Sequence, residues 1–336
     1  MARYSIILPV RNGGNYLREC VQSILSQTVT DFELLVLENK STDHTLEILA
    51  SFNDPRIRIF PADTPLSMEE NWHRAVQLPK SEYMTLIGHD DMLDSNYLSV
   101  MQELIAEDDL ASLYQTHFRY IDSAGNEIGK CKPMREAYDP VAAVSDFLCD
   151  RIDLMGTGFM MKSSDFEAAG GMPMYPNLLF ADMELWIELA SKNLLFVSAK
   201  ECFSYRKHPA ATTSSSSDAK FIQAFDLLIK YLVALKQRRP ELADVINRNG
   251  KALLRQYCQG ITHKVLRRPK AERETPSVAA LIDRFRQYGK ELCNGEFEPL
   301  DYSKIRMGKL IDSNALFHGA FLLFKKMYHK PVLKSH

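Results

Sequence analysis

The first hundred residues alternate between short apolar runs and helical patterns. Ser5–Val10 reads as an apolar strand, Phe32–Leu37 as a second strand, Arg56–Phe60 alternates as a half-buried strand, and Tyr83–Ile87 is a fourth strand. Between the first two, Leu17, Cys20, Val21, Ile24 and Leu25 recur at helical spacing. Asp43–Ser51 predicts a short helix, and Ser67–Gln77 another, with Ser67 as N-cap and Glu70 at the capping-box position. This β-α-β-α-β-α-β order predicts a parallel, doubly wound sheet with helices on both faces. In such sheets ligands bind beyond the carboxyl ends of the strands.

From Asp109 to Lys207 the pattern is mixed. Leu110–Asp122 predicts a long strand, and Ser123–Asn126 is a turn signal that makes it one arm of a hairpin. Asp139–Cys149 reads as a helix, Gly158–Lys162 as a short strand, Asp182–Ser191 as a helix and Phe203–Lys207 as a last strand. The polar run Ala210–Ser217 reads as a loop or linker. After Asp218 only helical patterns remain: Ala219–Arg238, Leu242–Leu266, Val278–Leu292 and Tyr302–Tyr328. The organisation expected is a first domain over 1–213, divided at 92/93, and a helical C-terminal region over 214–336.

Composition narrows the class. A chain of 336 residues that is 46% hydrophobic and 25% charged is a globular protein of about two domains, which excludes a disordered, collagen-like or polytopic membrane protein. With 41 Lys+Arg against 43 Asp+Glu, the net charge of −2 leaves no footprint for nucleic acid. Six cysteines without a CxxC pair read as reduced, mostly buried thiols of a reducing compartment. The apolar run Tyr4–Val10 is too short for a signal sequence, and Asn314–Phe324 too short to span a membrane. A cytoplasmic protein is expected, with membrane contact at most peripheral.

Candidate chemistry lies at the strand ends: Pro9-Val10-Arg11-Asn12-Gly13-Gly14, Glu38-Asn39-Lys40-Ser41-Thr42-Asp43, and Gly88-His89-Asp90-Asp91. Gly13-Gly14 lacks the spacing of a dinucleotide GxGxxG loop, and there is no GxxxxGK[ST]. Asp90-Asp91 is the sharpest local feature. Adjacent carboxylates repel, burial raises that cost, and a divalent cation such as Mg²⁺ or Mn²⁺ relieves it. The alternative is that Asp91 or Asp94 caps a helix beginning at Ser95. His208 alone reads as a hydrogen-bonded loop histidine, and Trp72 and Trp186 as core or cleft wall. Met155-Gly-Thr-Gly158 reads as a turn or as a segment that shapes a pocket, and Glu69-Glu70 as a solvated pair in a helix's first turn. Near the C-terminus, Leu316, Phe317 and Phe321–Phe324 precede Lys325, Lys326, Lys330 and Lys334. That pattern suits either an anionic membrane surface or packing on the helical region or a second copy in a homo-oligomer.

Five ordered blocks over about residues 3–213 carry a family resemblance. Ser5–Leu17 with Ser23–Thr28 resembles the opening of family 2 glycosyltransferases, and Glu38–Asp43 stands where that family has Asp-Asp-Gly-Ser-Thr-Asp. Asn71–Ala75 with Ser81–Asp91 is similar to its approach to the DxD motif. Phe180–Ala190 is similar to its acceptor-side Glu-Asp segment, and Tyr205–Pro209 to its closing Tyr-Arg-x-His. The sequence departs at Glu38-Asn39, at Gly88 in place of the first Asp of DxD, at Ala181 in place of the Glu before the presumed base, and at Glu184 where Asp is common.

The resemblance implies a GT-A fold, a Rossmann-like mixed sheet flanked by helices. It implies inverting transfer from a nucleotide-sugar, a UDP-sugar favoured, to a saccharide or lipid-linked saccharide in surface-polysaccharide assembly. By position, Pro9, Val10, Arg11, Asn12 and Glu38 would line the nucleoside pocket, with Asn71, His89 and Asp90 near the nucleotide. Asp90, Asp91 and His208 would serve the metal, and Asp182 would be the general base, against the plainer reading of Asp182 as an N-cap. Two other classes compete: a nucleotide-sugar-binding or scaffold protein of the same fold with weakened catalysis, and a nucleotidyltransferase. The latter would want a Gly-rich, basic loop after strand one, for which Arg11-Asn-Gly-Gly is thin.

Overall fold

The computed structural model describes residues 2–208, 216–273, 277–295 and 297–327. It divides into two compact units, one over 1–143 and 152–211 and the other over 144–151 and 212–334.

The first unit is built on one sheet. Strand β1 (Tyr4–Val10) is buried throughout and lies between β2 (Phe32–Glu38) and β4 (Tyr83–Leu86), parallel to both. β3 (Ile57–Pro61) pairs parallel on the far side of β2. Strands covered on both faces read as unbroken apolar runs, which is why this parallel part is the part the sequence announces. Beyond β4 the sheet becomes mixed. β9 (Phe159–Lys162) runs antiparallel to both β4 and β6 (Leu113–Ile121), and β10 (Leu195–Arg206) runs parallel to β6. β5 (Met92–Leu93) and β8 (Ala137–Tyr138) pair antiparallel with β10, and β7 (Glu127–Lys130) closes the expected hairpin with β6.

Helix α1 (Leu17–Leu25) buries Leu17, Cys20, Val21 and Ile24, the positions whose spacing predicted it. It is followed by α2 (Thr45–Ala50), α3 (Met68–His73), α4 (Tyr97–Glu107), α5 (Pro140–Leu148), α6 (Ser163–Ala168) and α7 (Ala181–Ala190). Ser67 and Glu70 form the predicted capping box, after which the helix tightens into a 3-10 turn over Arg74–Gln77.

Three expectations are corrected. The last strand begins at Leu195, not Phe203; its first half was hidden because its register on β6 breaks between Ser198 and Glu201, where the chain is polar. α4 starts after Asn96 with no side-chain cap, so neither Asp91 nor Asp94 caps it. The single helix expected over 302–328 is two, α11 (Ser303–Ser313) and α12 (Ala315–Met327). Asn314 is extended between them, and its Oδ1 accepts from the amides of Leu316 and Phe317, restarting the helix as a cap does.

The second unit is helical. Its other long elements are α8 (Asp218–Arg238), capped by Ser217, α9 (Ala243–Leu266) and α10 (Val278–Leu292), capped by Ser277. Phe225 stacks on Phe285 at 5.3 Å in its core, with Tyr257 and Tyr288 against it. Most of the predicted linker, together with Lys330 and Lys334, lies outside the described residues.

Candidate active site

The carboxyl ends of β1, β2 and β4 are stitched into one wall. After β1 the chain turns through Asn12 in the left-handed region (φ 56°). Asn12 donates its amide to Ser41 Oγ and accepts from the Thr42 amide, while the Gly13 and Gly14 amides reach Thr45 Oγ1 and Asp43 Oδ2. Buried Glu38 accepts the Ser41 amide at 2.6 Å. Asn39 bonds both backbone groups of Leu66, whose carbonyl also takes exposed Arg11. Pro9 and Val10 are buried at the end of β1. Asn71 is buried too; its amide donates to the Leu37 carbonyl and accepts from Arg74. Asn71 thus braces the end of β2 from beneath.

The end of β4 carries the acidic pair. Asp91 is 2% exposed; its Oδ1 accepts the Arg206 amide at 3.0 Å and its Oδ2 the Thr157 hydroxyl at 2.8 Å. Burial first, and then the charge of Asp90, pushes the Asp91 carboxyl well above the usual carboxylate range. Asp90 Oδ2 lies 2.9 Å from His208 Nε2, and His208 packs on the Tyr16 ring at 5.3 Å. Burial pushes the His89 imidazole down, keeping it neutral. Gly88 is required by closeness. A β-carbon there would lie 2.7 Å from Asp90 Oδ1 and 3.2 Å from Asp91 Oδ2, so the family's first aspartate would collide with the two that remain.

Arg206 organises this corner. Its buried guanidinium donates to the carbonyls of Asp90, Asp122 and Ser123 and to Glu19, and lies 4.5 Å over the Tyr16 ring. The sequence put Arg206 inside a recognised block but gave it no role, because nothing local shows that a charged residue at a strand end is buried. The same holds for Thr157, whose segment reads as a turn and is one: Gly158 (φ 83°) leads from it into β9.

That turn also reaches Asp182. A β-carbon on Gly156 would lie 3.9 Å from that of Asp182, and the next residue, Thr157, holds Asp91. Trp186, fully buried and stacked on Phe159 at 4.5 Å, donates its indole N–H to the Met155 carbonyl and pins the turn. Trp186 is therefore core. Asp182 is the second residue of α7; Phe180, in the left-handed region, holds the cap position. The N-cap reading of Asp182 is thereby replaced. Burial pushes its carboxyl up to about 6. Burial first, and then the charges of Asp91, Asp90 and Asp182, push the Tyr205 phenol up. Glu184, two residues further along α7, accepts the Tyr175 hydroxyl. Glu69 is not a solvated partner of Glu70; it accepts the Asn177 amide.

Residues 5–165 match the family model for "Glycosyl transferase family 2". That stretch is a glycosyl transferase family 2 segment. The chain is 29% identical over 124 residues to the glycosyltransferase GlyG of Streptococcus pneumoniae, covering 36% of this chain and 41% of that protein. It is 35% identical over 127 residues to a chondroitin synthase of Escherichia coli, covering 37% of this chain and 18% of that one. The matches thus span well under half of these relatives' length. Among solved structures, the chain is similar to S. aureus TarS 1–349 in complex with UDP, with a TM-score of 0.67 and 15% identity over 98% of this chain and 93% of that one. The same protein in complex with UDP-GlcNAc gives a TM-score of 0.61 at 16% identity, covering 93% and 91%. The fold is the GT-A fold, a mixed sheet flanked by helices with a helical C-terminal region.

Proposed function

We propose that the chain transfers a sugar from a nucleotide-sugar to a hydroxyl of a saccharide or lipid-linked saccharide acceptor, with inversion, in polysaccharide assembly. Residues 1–92 would serve the donor and 93–213 the acceptor. One observation carries this reading: consecutive residues of a single pinned turn pack on Asp182 and hold Asp91, so a base of raised basicity stands over the acidic end of β4. The acceptor hydroxyl must lose a proton as it attacks, and a carboxylate titrating near neutrality is suited to take it. Asp182 takes that proton. Attack opposite the leaving diphosphate is a single displacement, which inverts the anomeric carbon. Pro9, Val10, Arg11, Asn12 and Glu38 line the nucleoside side, with Asn71 bracing it and His89 beside it. The complexes of TarS with UDP and UDP-GlcNAc support a uridine nucleotide as donor.

Among the described residues no group of three or more His, Cys, Asp or Glu is arranged to hold a metal ion. Asp90 and His208 nevertheless suit Mg²⁺ or Mn²⁺, which take one or two carboxylates and complete their shell with substrate phosphates and water. Asp91, both oxygens already engaged by Arg206 and Thr157, stands directly behind Asp90 and fixes the end of β4, and a cation at Asp90 would relieve the repulsion between the two carboxyl groups. Bound there, the ion would neutralise the leaving diphosphate.

Calorimetric titration with uridine diphosphate tests this directly. Affinity is expected to be higher in Mn²⁺ than in EDTA, and Asp91→Asn to lose most of that difference; equal affinity in both buffers for the parent protein contradicts the cation. Gly88→Ala is expected to weaken nucleotide binding five- to a hundredfold, corresponding to about 1–3 kcal/mol of overpacking. Unchanged affinity would mean that Asp90 moves freely and that Gly88 has no part in shaping the site.

A further inference from the structure

The last two helices leave an apolar surface uncovered. On α12, Leu316, Leu323 and Met327 are 82%, 64% and 85% exposed, and their spacing of seven and eleven residues puts them on one helical stripe. Phe317 is half exposed beside them, and Met307 and Leu310 of α11 add 58% and 56%. The helix is nevertheless fastened from its other side. His318 is buried, its Nε2 within 2.9 Å of both the Leu266 carbonyl and the Arg273 guanidinium, so the stripe belongs to a docked helix.

Charge says what covers it. From Ser303 to Met327 the chain carries Lys304, Arg306, Lys309, Lys325 and Lys326 against one acid, Asp312. Asp312 is buried, paired with Arg273 and bonded to the Val278 amide. Every exposed charge of the two helices is therefore positive. A second copy applied to this face would set like charges against each other. An anionic bilayer meets both features, taking the apolar stripe into its interface and the cations at its headgroups. We propose that α11 and α12 dock this protein in the plane of an anionic lipid surface.

The test is co-sedimentation of the full chain with vesicles of phosphatidylcholine alone or mixed with phosphatidylglycerol, at low and high salt. Binding is expected only with phosphatidylglycerol and is expected to fall as salt rises. Leu316→Ser/Leu323→Ser/Met327→Ser should weaken it more than tenfold with an unchanged unfolding temperature. Lys304→Gln/Lys309→Gln/Lys326→Gln, which touches no apolar contact, should weaken it about a hundredfold, about fivefold per cation. Uridine diphosphate binding should be the same in all three proteins. Equal binding to neutral vesicles, or full binding by either variant, overturns the proposal. So does an absence of vesicle binding alongside a concentration-dependent dimer that the serine variant abolishes, which would give the face to a second copy.

Discussion

Asp182→Asn is expected to lower transfer by about 10²–10⁴-fold, the contribution of a positioned general base, while making the folded protein more stable at pH 8. Asparagine keeps the oxygen that accepts the Met183 amide at 2.8 Å but takes no proton. The stability gain follows from burial. In the folded protein the Asp182 carboxyl titrates near 6, against about 3.9 in an unfolded chain. The folded state therefore holds that proton more tightly, and the advantage is full below about pH 4 and lost as pH rises through 6. Above that, the ionised carboxylate costs at most about 3 kcal/mol, which asparagine does not incur. Unfolding midpoints for the two proteins should agree at pH 4 and separate by pH 8. In the parent protein, kcat/KM should rise through about pH 6 to a plateau. A variant less stable at pH 8, or one retaining transfer while Glu184→Gln loses it, would move the base elsewhere.

Arg206→Met should have the next largest effect, and it should fall on both folding and binding. The guanidinium satisfies three backbone carbonyls and Glu19 in a buried corner, and methionine fills the space without a donor. Leaving buried carbonyls unmade costs about 1–3 kcal/mol each where water cannot reach them, so a total loss of about 2–4 kcal/mol is expected by chemical denaturation. Because Arg206 also fixes the Asp90 carbonyl, and its own amide fixes Asp91, nucleotide affinity should fall even at temperatures where the variant is folded. Affinity unchanged in the folded variant would show that Arg206 is only a structural pin.

The legible part of the fold was the part whose physics is local. The runs of β1, β2 and β4 are buried almost throughout and so are mostly apolar, and the Ser67–Glu70 capping box needs only four residues. The first half of β10 was hidden by its polar bulge, and the break at Asn314 by the helical pattern that resumes at once with Ala315, Leu316 and Phe317. The candidate site divides the same way. Its acidic pair stands out because two carboxylates at a strand end are costly. Its supports do not: Asp91 meets Arg206 across 115 residues and Thr157 across 66, and only the folded chain brings them together. The same distance effect hid the reason for Gly88, which in sequence is a missing aspartate and in space is the room that Asp90 and Asp91 occupy.

Glycosyl transfer at this site is tested most directly by product analysis. UDP-sugars are incubated with oligosaccharide and lipid-linked acceptors, nucleoside diphosphate release is followed, and the new linkage is read by proton NMR. Acceptor-dependent release of UDP is expected, with an anomeric configuration opposite to that of the donor, and neither with Asp182→Asn. A product that keeps the donor's configuration, or Asp182→Asn forming product at the parent rate, would contradict it.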